Sequence, residues 1–240
     1  MSAAFNVSNW SAWGPSLETC QKWMSSQDIS ETLKKNDDVP DVKDLPMMLR
    51  RRLSRLGRMV MRVTHDLDAV ESIPMVFSSR YGESAQTVKM LRSLSQKEPL
   101  SPANFSMSVH NGLAGLFSIT SKNIQPHTAV SAGPASFCNA LLEAGTMLQL
   151  NPETPVLLVH YDEPLPDFYE GFCDETVKPM AMALVIQQSD SEQISYSVSK
   201  ADGNGNKEDA ALNFMDGFLK KKRNWFWSDG RTQWNFQHVK

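Results

Sequence analysis

The residues best suited to chemistry in this 240-residue chain are three cysteines, five histidines and the adjacent carboxylates Asp162 and Glu163. A cysteine attacks a substrate as the thiolate, so its surroundings decide whether it can be a nucleophile. Cys138 falls among apolar residues of a predicted helix, where burial would keep it a neutral thiol. Cys173 is followed by two acidic residues, and their negative charges would raise its pKa. Neither cysteine therefore fits a catalytic role.

The other residues that could do chemistry do not form a recognisable catalytic or metal-binding group in the sequence. Ser131 and Ser136 flank a Gly-Pro turn, but the sequence places no base near either serine. Asp162 and Glu163 could form an acid–base pair, although a loop or helix-start role is the interpretation we favour. No phosphate-binding, metalloprotease or serine-hydrolase motif occurs, so the sequence predicts no metal and no cofactor. The histidines are too scattered for a metal site, and they are His65, His110, His127, His160 and His238.

Composition narrows the class of protein. Hydrophobic residues make up 41% and charged residues 21%, which is typical of a globular protein. The net charge of -3 argues against a general nucleic-acid binder, and no apolar run approaches the ~20 residues that span a bilayer. Cysteines without a paired pattern, and no evident signal peptide, favour the reducing cytoplasm. We expect one domain of 240 residues in that compartment.

The predicted elements that must position these residues alternate between helices and strands. This order predicts a layered α/β fold with helices and a mixed sheet. The helix predicted first is amphipathic and carries many arginines on its polar surface. The predicted helices span residues 47–63, 84–95, 104–121, 136–149 and 210–222. The predicted strands span residues 73–79, 128–132, 156–160, 180–187 and 193–199, the last as an edge strand.

The two ends of the chain are harder to interpret. Residues 1–45 are weakly patterned and are interpreted as an N-terminal arm whose tryptophans pack against a body or a partner. The core is then assigned to residues 47–200, and residues 210–240 to a helix followed by an aromatic tail. Gly112 and Gly115 lie close together in a predicted helix, where each glycine costs about 1 kcal/mol relative to alanine. They indicate that another backbone comes near.

Residues 47–163 resemble the N-terminal half of the β-ketoacyl synthases, which have the thiolase-like fold. Three segments carry the resemblance. Residues 51–56 are similar to the family's R-R-M-S-R-F, and residues 101–115 to its S-P-x-x-x-x-x-x-x-x-N-x-x-A-G pattern. Pro126 is similar to the proline of the family's G-P-S motif. The resemblance implies one truncated half of the thiolase-like α/β fold.

The same resemblance locates the position of the nucleophile. Ketosynthases carry their cysteine in T-A-C-[ST]-S at a strand-to-helix turn, where the helix N-terminus stabilises the thiolate. Counting without gaps from Pro126 places Pro134 at that position, whereas matching by letters places Val130 there. We prefer the gapless count, because it keeps helix 136–149 in register. Under either count the nucleophile is missing, and the chain is too short for the half that carries the family's two catalytic histidines.

Family members that have lost the nucleophile are chain-length factors, and this sequence is similar to the aryl polyene type. The resemblance implies a heterodimer, or a pair of heterodimers, with a catalytic ketosynthase. The implied interface consists of Asn111, Gly112, Gly115, His127, Thr128, Ala129, Val130, Ser131 and Ala132. The residues that would gate the partner's acyl tunnel are Asn104, Phe105, Met107, Ser108 and His110. Core packing is an equal alternative for Phe105 and Met107.

Two further interpretations stay open at this point. The arginine-rich surface is either a solvated face or a docking site for the acidic acyl carrier protein. The docking residues would be Arg50, Arg51, Arg52 and Arg55. The rival to a non-catalytic subunit is an acyl-transferring or hydrolysing enzyme that uses Ser131, Ser136 or Cys138, with His110 or His127 as the base.

Overall fold

An eight-stranded mixed sheet organises the chain in the computed structural model, which describes residues 2–33, 36–67, 70, 72–172, 177–190 and 192–239. The strands are β1 (Ser2–Trp13), β2 (Met75–Ser78), β3 (His127–Val130), β4 (Val156–Asp162), β5 (Met180–Gln187), β6 (Gln193–Lys200), β7 (Asn224–Ser228) and β8 (Thr232–Val239). Their order is β3-β2-β4-β5-β1-β6-β8-β7. β2 runs parallel to β3 and β4, and the other neighbouring pairs are antiparallel.

Helices cover this sheet and give the layered α/β fold that the sequence predicts. Among the described residues no helix is both long enough and apolar enough to cross a bilayer. The helices are α1 (Cys20–Ser25), α2 (Ile29–Thr32), α3 (Met47–Arg50), α4 (Arg55–His65), α5 (Ser84–Ser95), α6 (Pro102–Ser108), α7 (Gly112–Ser121), α8 (Ser136–Leu150) and α9 (Ala210–Leu219). A 3₁₀ helix spans Asp167–Phe172.

Two hydrophobic cores lie on opposite faces of the sheet. Along β4, Val156 and Leu158 contribute to the core with α8 and α9, while Leu157 and Val159 contribute to the core with α4 and α7. A strand buried on both faces needs apolar residues at every position, because successive side chains point to opposite sides. This is why the continuous apolar runs of β4 and β5 are visible in the sequence, and both predicted strands are confirmed.

Two predicted helices are each split by a break. The helix predicted over 47–63 is α3 followed by α4, because Ser54 caps a new helix. Its hydroxyl accepts a hydrogen bond from the backbone N–H of Gly57 at 2.8 Å and donates one to Glu83. The helix predicted over 104–121 is α6 followed by α7, since Val109 is extended at φ -74° and ψ 148°.

The interpretation of residues 1–45 as an arm is wrong, because β1 lies inside the sheet between β5 and β6. A register shift between Val7 and Asn9 interrupts the period-two alternation that would have identified a strand. Trp13 and Trp23 are buried in the body of the protein, and Trp10 packs edge-on against Phe218.

The interpretation of the C-terminal residues as a tail is also wrong. β7 and β8 form a hairpin that extends the sheet, so β6 pairs with β1 and β8 and is not the predicted edge strand. Buried aromatic residues of the hairpin alternate with exposed or partly exposed residues and pack in the core that includes α9. Those buried there are Trp225, Trp227, Trp234 and Phe236.

Candidate functional site

The turn between β3 and α8 is where the nucleophile of a ketosynthase is expected. Gly133 occupies the left-handed region at φ +57°, which favours glycine at this tight turn. The Ser136 hydroxyl closes the turn by accepting from the backbone N–H of Ala132 at 3.0 Å and donating to the carbonyl of Gly133 at 2.7 Å. Pro134 is exposed in this turn, directly before the helix, whereas Val130 is the last residue of β3.

None of the serines at this turn has a histidine partner among the described hydrogen bonds. Ser131 donates to the carbonyl of Arg80 at 3.3 Å, and Ser136 is fully engaged in the turn. His110 contacts the carbonyl of Val130 through Nε2 at 3.1 Å, so it ties the start of α7 to β3. His127 is exposed on β3. The arrangement lacks the nucleophile–base contact that acyl transfer by a serine needs.

Cys138 lies in the first turn of α8 and is a free, buried thiol. Burial, followed by the negative charges of Asp209 and Asp229, raises its pKa well above the ordinary value. A thiol whose pKa is raised in this way is a poor nucleophile at neutral pH. Cys173 lies outside the described residues.

A serine, a histidine and an aspartate do meet below the turn, where β2 and β4 end. Ser78 Oγ lies 2.8 Å from His160 Nδ1, and His160 Nε2 lies 3.8 Å from Asp162 Oδ2. The second distance is too long for a hydrogen bond, so the three groups do not form a relay. Burial lowers the pKa of His160 to about 3, which keeps the imidazole neutral. All three side chains are buried, so no substrate can reach them.

Asp162 holds the turn that follows β2. Its carboxylate accepts from Ser79 Oγ at 2.9 Å, from the Arg80 N–H at 2.7 Å and from the Tyr81 N–H at 3.0 Å. Burial raises its pKa to about 7 against the effect of these donors. Glu163 points elsewhere and pairs with Arg55. These contacts agree with the structural interpretation of the adjacent carboxylates.

The predicted gate residues differ in how they are packed. Phe105 is 60% exposed, and Asn104 is exposed beside it. Met107 is partly buried against the core that includes α4 and α7, so core packing is the right interpretation for this residue. Ser108 and His110 are half-buried, and Ser108 Oγ donates to the carbonyl of Phe105. Phe105 is therefore a large apolar side chain that this segment presents to the outside.

The predicted interface residues belong to α7 and its N-cap, to β3 at one edge of the sheet, and to the turn that follows β3. β3 pairs with β2 on one side, and no described strand pairs with its other side. A Cβ atom added at Gly112 would lie 3.1 Å from the carbonyl oxygen of Ser106, so this glycine does permit a close backbone approach. A Cβ atom added at Gly115 would have no neighbour within 4 Å in this chain.

The arginines predicted to dock a carrier protein fall into two groups. Arg51 and Arg52 are exposed, and Arg50 is half-buried. Arg55 is committed internally: it donates to the carbonyls of Asp38 and Asn36 and pairs with Glu163 at 3.3 Å. These contacts within the chain leave its guanidinium less available for docking than those of Arg51 and Arg52.

The described residues offer no metal site, whereas a family model does match most of the chain. Within the described ranges, no three His, Cys, Asp or Glu side chains cluster as metal ligands. No curated protein sequence matches the chain. The family model described as "Beta-ketoacyl synthase, N-terminal domain" matches residues 20–237.

Several solved structures share the architecture. One is a chain in the complex of the ketosynthase ApeO with its chain length factor ApeC from Xenorhabdus doucetiae, with 29% identity and a TM-score of 0.86 over 98% of this chain and 99% of that chain. A chain of the ishigamide ketosynthase/chain length factor has 16% identity and a TM-score of 0.64, over 85% and 69% of the two chains. A chain of AntDE:AntF, a type II PKS acyl-carrier protein with its ketosynthase, has 10% identity and a TM-score of 0.69 over 100% of both. The last two likenesses show the fold alone.

Proposed function

Since this chain belongs to the β-ketoacyl synthase N-terminal domain family, we propose that it is a chain-length factor: a subunit that does not catalyse condensation, pairs with a catalytic ketosynthase and helps to shape its acyl tunnel. The aryl polyene type of the subunit is the version we favour. The similar chain from the Xenorhabdus doucetiae complex supports this, because the match spans nearly the whole length of both chains. That similar chain is part of a complex of a ketosynthase with its chain length factor.

The observation that carries the proposal is the turn at residues 131–136. Its exposed apex is Pro134, which has no group that could attack a thioester. Ser136 is consumed in closing the turn, and Ser131 bonds a backbone carbonyl. Asp209 and Asp229 add negative charge near the start of α8, where a ketosynthase needs a stabilised thiolate. A subunit built this way would rely on a partner for the covalent step.

The exposed edge of β3 supports the pairing. An edge strand leaves backbone N–H and C=O groups without partners, and such edges pair with another strand unless they are blocked. The strand sequence from His127 to Val130 contains no proline and no lysine or arginine that would discourage pairing. We propose that β3 continues into the ketosynthase subunit, with Asn111, Gly112, Gly115, Ser131 and Ala132 beside it.

The exposure of Phe105 supports a role at the acyl tunnel. A large apolar side chain that is 60% exposed in the free chain would be covered when the partner binds. At the end of a tunnel it would limit the length of the acyl chain by its volume. Asn104, Ser108 and His110 would line the same segment, with Met107 anchoring it to the body.

The exposed pair Arg51 and Arg52, with Arg50 behind them, is proposed to attract the acidic acyl carrier protein. The full complex would then offer the carrier protein a basic surface on this subunit and a nucleophile on the other. We place this complex in the cytoplasm, a compartment in which Cys20 and Cys138 would remain the free thiols they are in the structure.

The division of labour can be tested with the purified pair. The chain is co-expressed with a ketosynthase and supplied with acyl- and malonyl-carrier proteins, and mass spectrometry of each subunit then locates the acyl group. We expect the acyl group on the ketosynthase alone. Replacing the ketosynthase cysteine by alanine should abolish elongation, whereas Ser131→Ala in this chain should change the rate by less than about twofold.

An acyl adduct on this chain would overturn the proposal in favour of a self-sufficient acyltransferase. Peptide mapping would then show which of Ser131, Ser136 and Cys138 carries it. Phe105→Ala serves as the positive control for tunnel shaping, since it should lengthen the products without slowing the first condensation. Products of unchanged length would remove Phe105 from the gate.

A further inference from the structure

A cavity of about 690 Å³ lies between α3, α4 and α7, beside the core that these helices share. Its floor is apolar, because it is formed by Leu49, Met61 and Phe117, which are 8%, 2% and 5% exposed. Thr64 also lies at the floor, but its hydroxyl donates to the carbonyl of Val60 at 2.9 Å within the same helix. The floor therefore offers a carbon surface to whatever enters the cavity.

The rim of the cavity is apolar as well. Met48 and Ile119 are 63% and 77% exposed there, and Leu45 and Leu116 are partly buried below them. Cavities of roughly 300–1,000 Å³ with mostly apolar walls and a few polar groups are typical of small-molecule sites. Large apolar side chains left in contact with water around such a cavity indicate that a ligand covers them.

The charged groups at the mouth of the cavity indicate what kind of ligand fits. The carboxylate of Asp44 is engaged within the chain, since it pairs with Arg62 at 2.9 Å and lies 3.2 Å from His65 Nε2. Arg52 also lines the mouth, is exposed, and has no ion-pair partner in the part of the chain that the structure describes. A guanidinium of this kind can hold a carboxylate through two parallel hydrogen bonds.

We propose that this cavity binds a single-chain fatty carboxylate, whose alkyl chain covers the apolar floor and whose carboxylate pairs with Arg52. The site goes beyond the proposed function, because the lining residues include none of those assigned to the acyl tunnel or to the subunit interface. The gate segment precedes the N-terminus of α7, whereas Thr120 of the cavity lies at the other end of that ten-residue helix, about 15 Å away.

Arg52 is shared with the surface proposed to attract the acyl carrier protein. A carboxylate bound at Arg52 would neutralise one positive charge of that surface. The ligand and the carrier protein would then oppose each other's binding.

The first test is isothermal titration of the full chain with octanoate, decanoate and octan-1-ol, each below its aggregation concentration. Decanoate should bind more tightly than octanoate, on the order of tenfold, because two more methylene groups leave water. Octanoate should bind more tightly than octan-1-ol, which has the same chain length and no charge. Arg52→Gln should weaken octanoate binding about fivefold and change octan-1-ol binding by less than about twofold. Arg51→Gln is the control, since Arg51 is exposed and is not among the residues that line the cavity.

The second test fills the cavity. Thr120→Trp places a large ring at an exposed lining position, and it should weaken the binding of octanoate and octan-1-ol alike by at least about tenfold. Ile124→Trp is the matched control, because Ile124 is 93% exposed and lies outside the lining. Circular dichroism should show that both variants are folded, since neither position is buried.

Three results would overturn the inference. Octanoate binding that Thr120→Trp leaves intact would place the ligand elsewhere. Equal affinities for octanoate and octan-1-ol would remove the role of Arg52. Sedimentation of the chain with phosphatidylglycerol vesicles, in the absence of any octanoate binding, would replace the fatty carboxylate by a membrane surface. These outcomes leave the proposed function untouched, because the assays contain no ketosynthase.

Discussion

Glu83 joins two elements that flank the candidate site. Its carboxylate accepts a hydrogen bond from Ser54, the residue that caps α4, and it lies at the start of α5. The second carboxylate oxygen is buried and has no hydrogen-bond partner among the described residues. Burial raises the pKa of Glu83 to about 7, and the nearby charge of Glu163 acts in the same direction. The folded chain thus holds a proton that an unfolded chain would release.

This proton makes stability depend on pH. At Glu83 the folded chain binds more protons than the unfolded chain between about pH 4 and pH 7, so this residue makes stability fall as the pH rises through that range. His160 acts in the opposite direction below about pH 6.5, because it is buried in the neutral form. Above about pH 6.5 this opposing effect of His160 is no longer present. Glu83→Gln should therefore show a smaller decrease in Tm between about pH 6.5 and pH 8 than the wild-type chain.

The measurement is thermal unfolding by circular dichroism at several pH values. Glu98→Gln is the control, since Glu98 is an exposed carboxylate and should leave the slope unchanged. Asp162, whose pKa is also raised to about 7, should leave some pH dependence in the Glu83→Gln variant. Equal slopes for Glu83→Gln and the wild-type chain would show that Glu83 is ionised throughout.

The sequence predicts the role of a single residue when that role depends on its near neighbours in the chain. The apolar neighbours of Cys138 predict a buried thiol, and the structure places it in the core. The hydrogen bonds and the ion pair of Arg55 could not be predicted, because its partners Asn36, Asp38 and Glu163 are distant in the chain. Charge on a helix predicts that an arginine is polar, but tertiary contacts decide whether it is free.

At the scale of elements, two helical glycines offer a contrast. A Cβ atom at Gly217 in α9 would overlap the ring of Trp225, whereas one at Gly115 in α7 would meet nothing within 4 Å. Gly217→Ala should therefore destabilise the chain by about 1–3 kcal/mol, because the α9–β7 contact must open. Gly115→Ala should stabilise the isolated chain by up to about 1 kcal/mol, since alanine is the better helix former.

Urea denaturation of the isolated chain measures both effects. The same Gly115→Ala variant also reports on the assembly. If α7 lies against the ketosynthase, the added methyl group should weaken the complex although it strengthens the free chain. A gain in both properties would place Gly115 outside the interface.

Element prediction succeeds where the burial pattern is simple. Four predicted elements are found in the structure, because apolar residues recur with one period along each. They are helices 84–95 and 136–149 and strands 156–160 and 180–187. β1 is missed because its register shifts within the strand. The breaks within 47–63 and 104–121 are missed as well. A serine cap and one extended residue end a helix without disturbing the apolar pattern around them.

At the scale of the whole molecule, the sequence predicts the layers but not the topology. The order β3-β2-β4-β5-β1-β6-β8-β7 brings the N-terminal strand to the middle of the sheet and the C-terminal hairpin to one edge. Such pairings join residues that are far apart in the chain. The residue pattern of one strand does not indicate which strands lie beside it in the sheet. The aromatic residues after position 224 are visible in the sequence, but the sequence assigns them no partner strand, so the segment is interpreted as a tail.

The C-terminal hairpin gives the last prediction. Trp225, Trp227, Trp234 and Phe236 belong to the same hydrophobic core as Phe5 of β1 and Phe214 of α9. Removing residues 223–240 would expose α9 and turn β6 into an uncovered edge, so the remainder should lose cooperative thermal unfolding and aggregate. Phe226→Ser is the control for an exposed aromatic of the same hairpin and should shift Tm by no more than about 2 °C. If the truncated chain still unfolds cooperatively near the wild-type Tm, the hairpin is an appendage that the fold does not need. Its aromatic residues would then be expected to contact a partner.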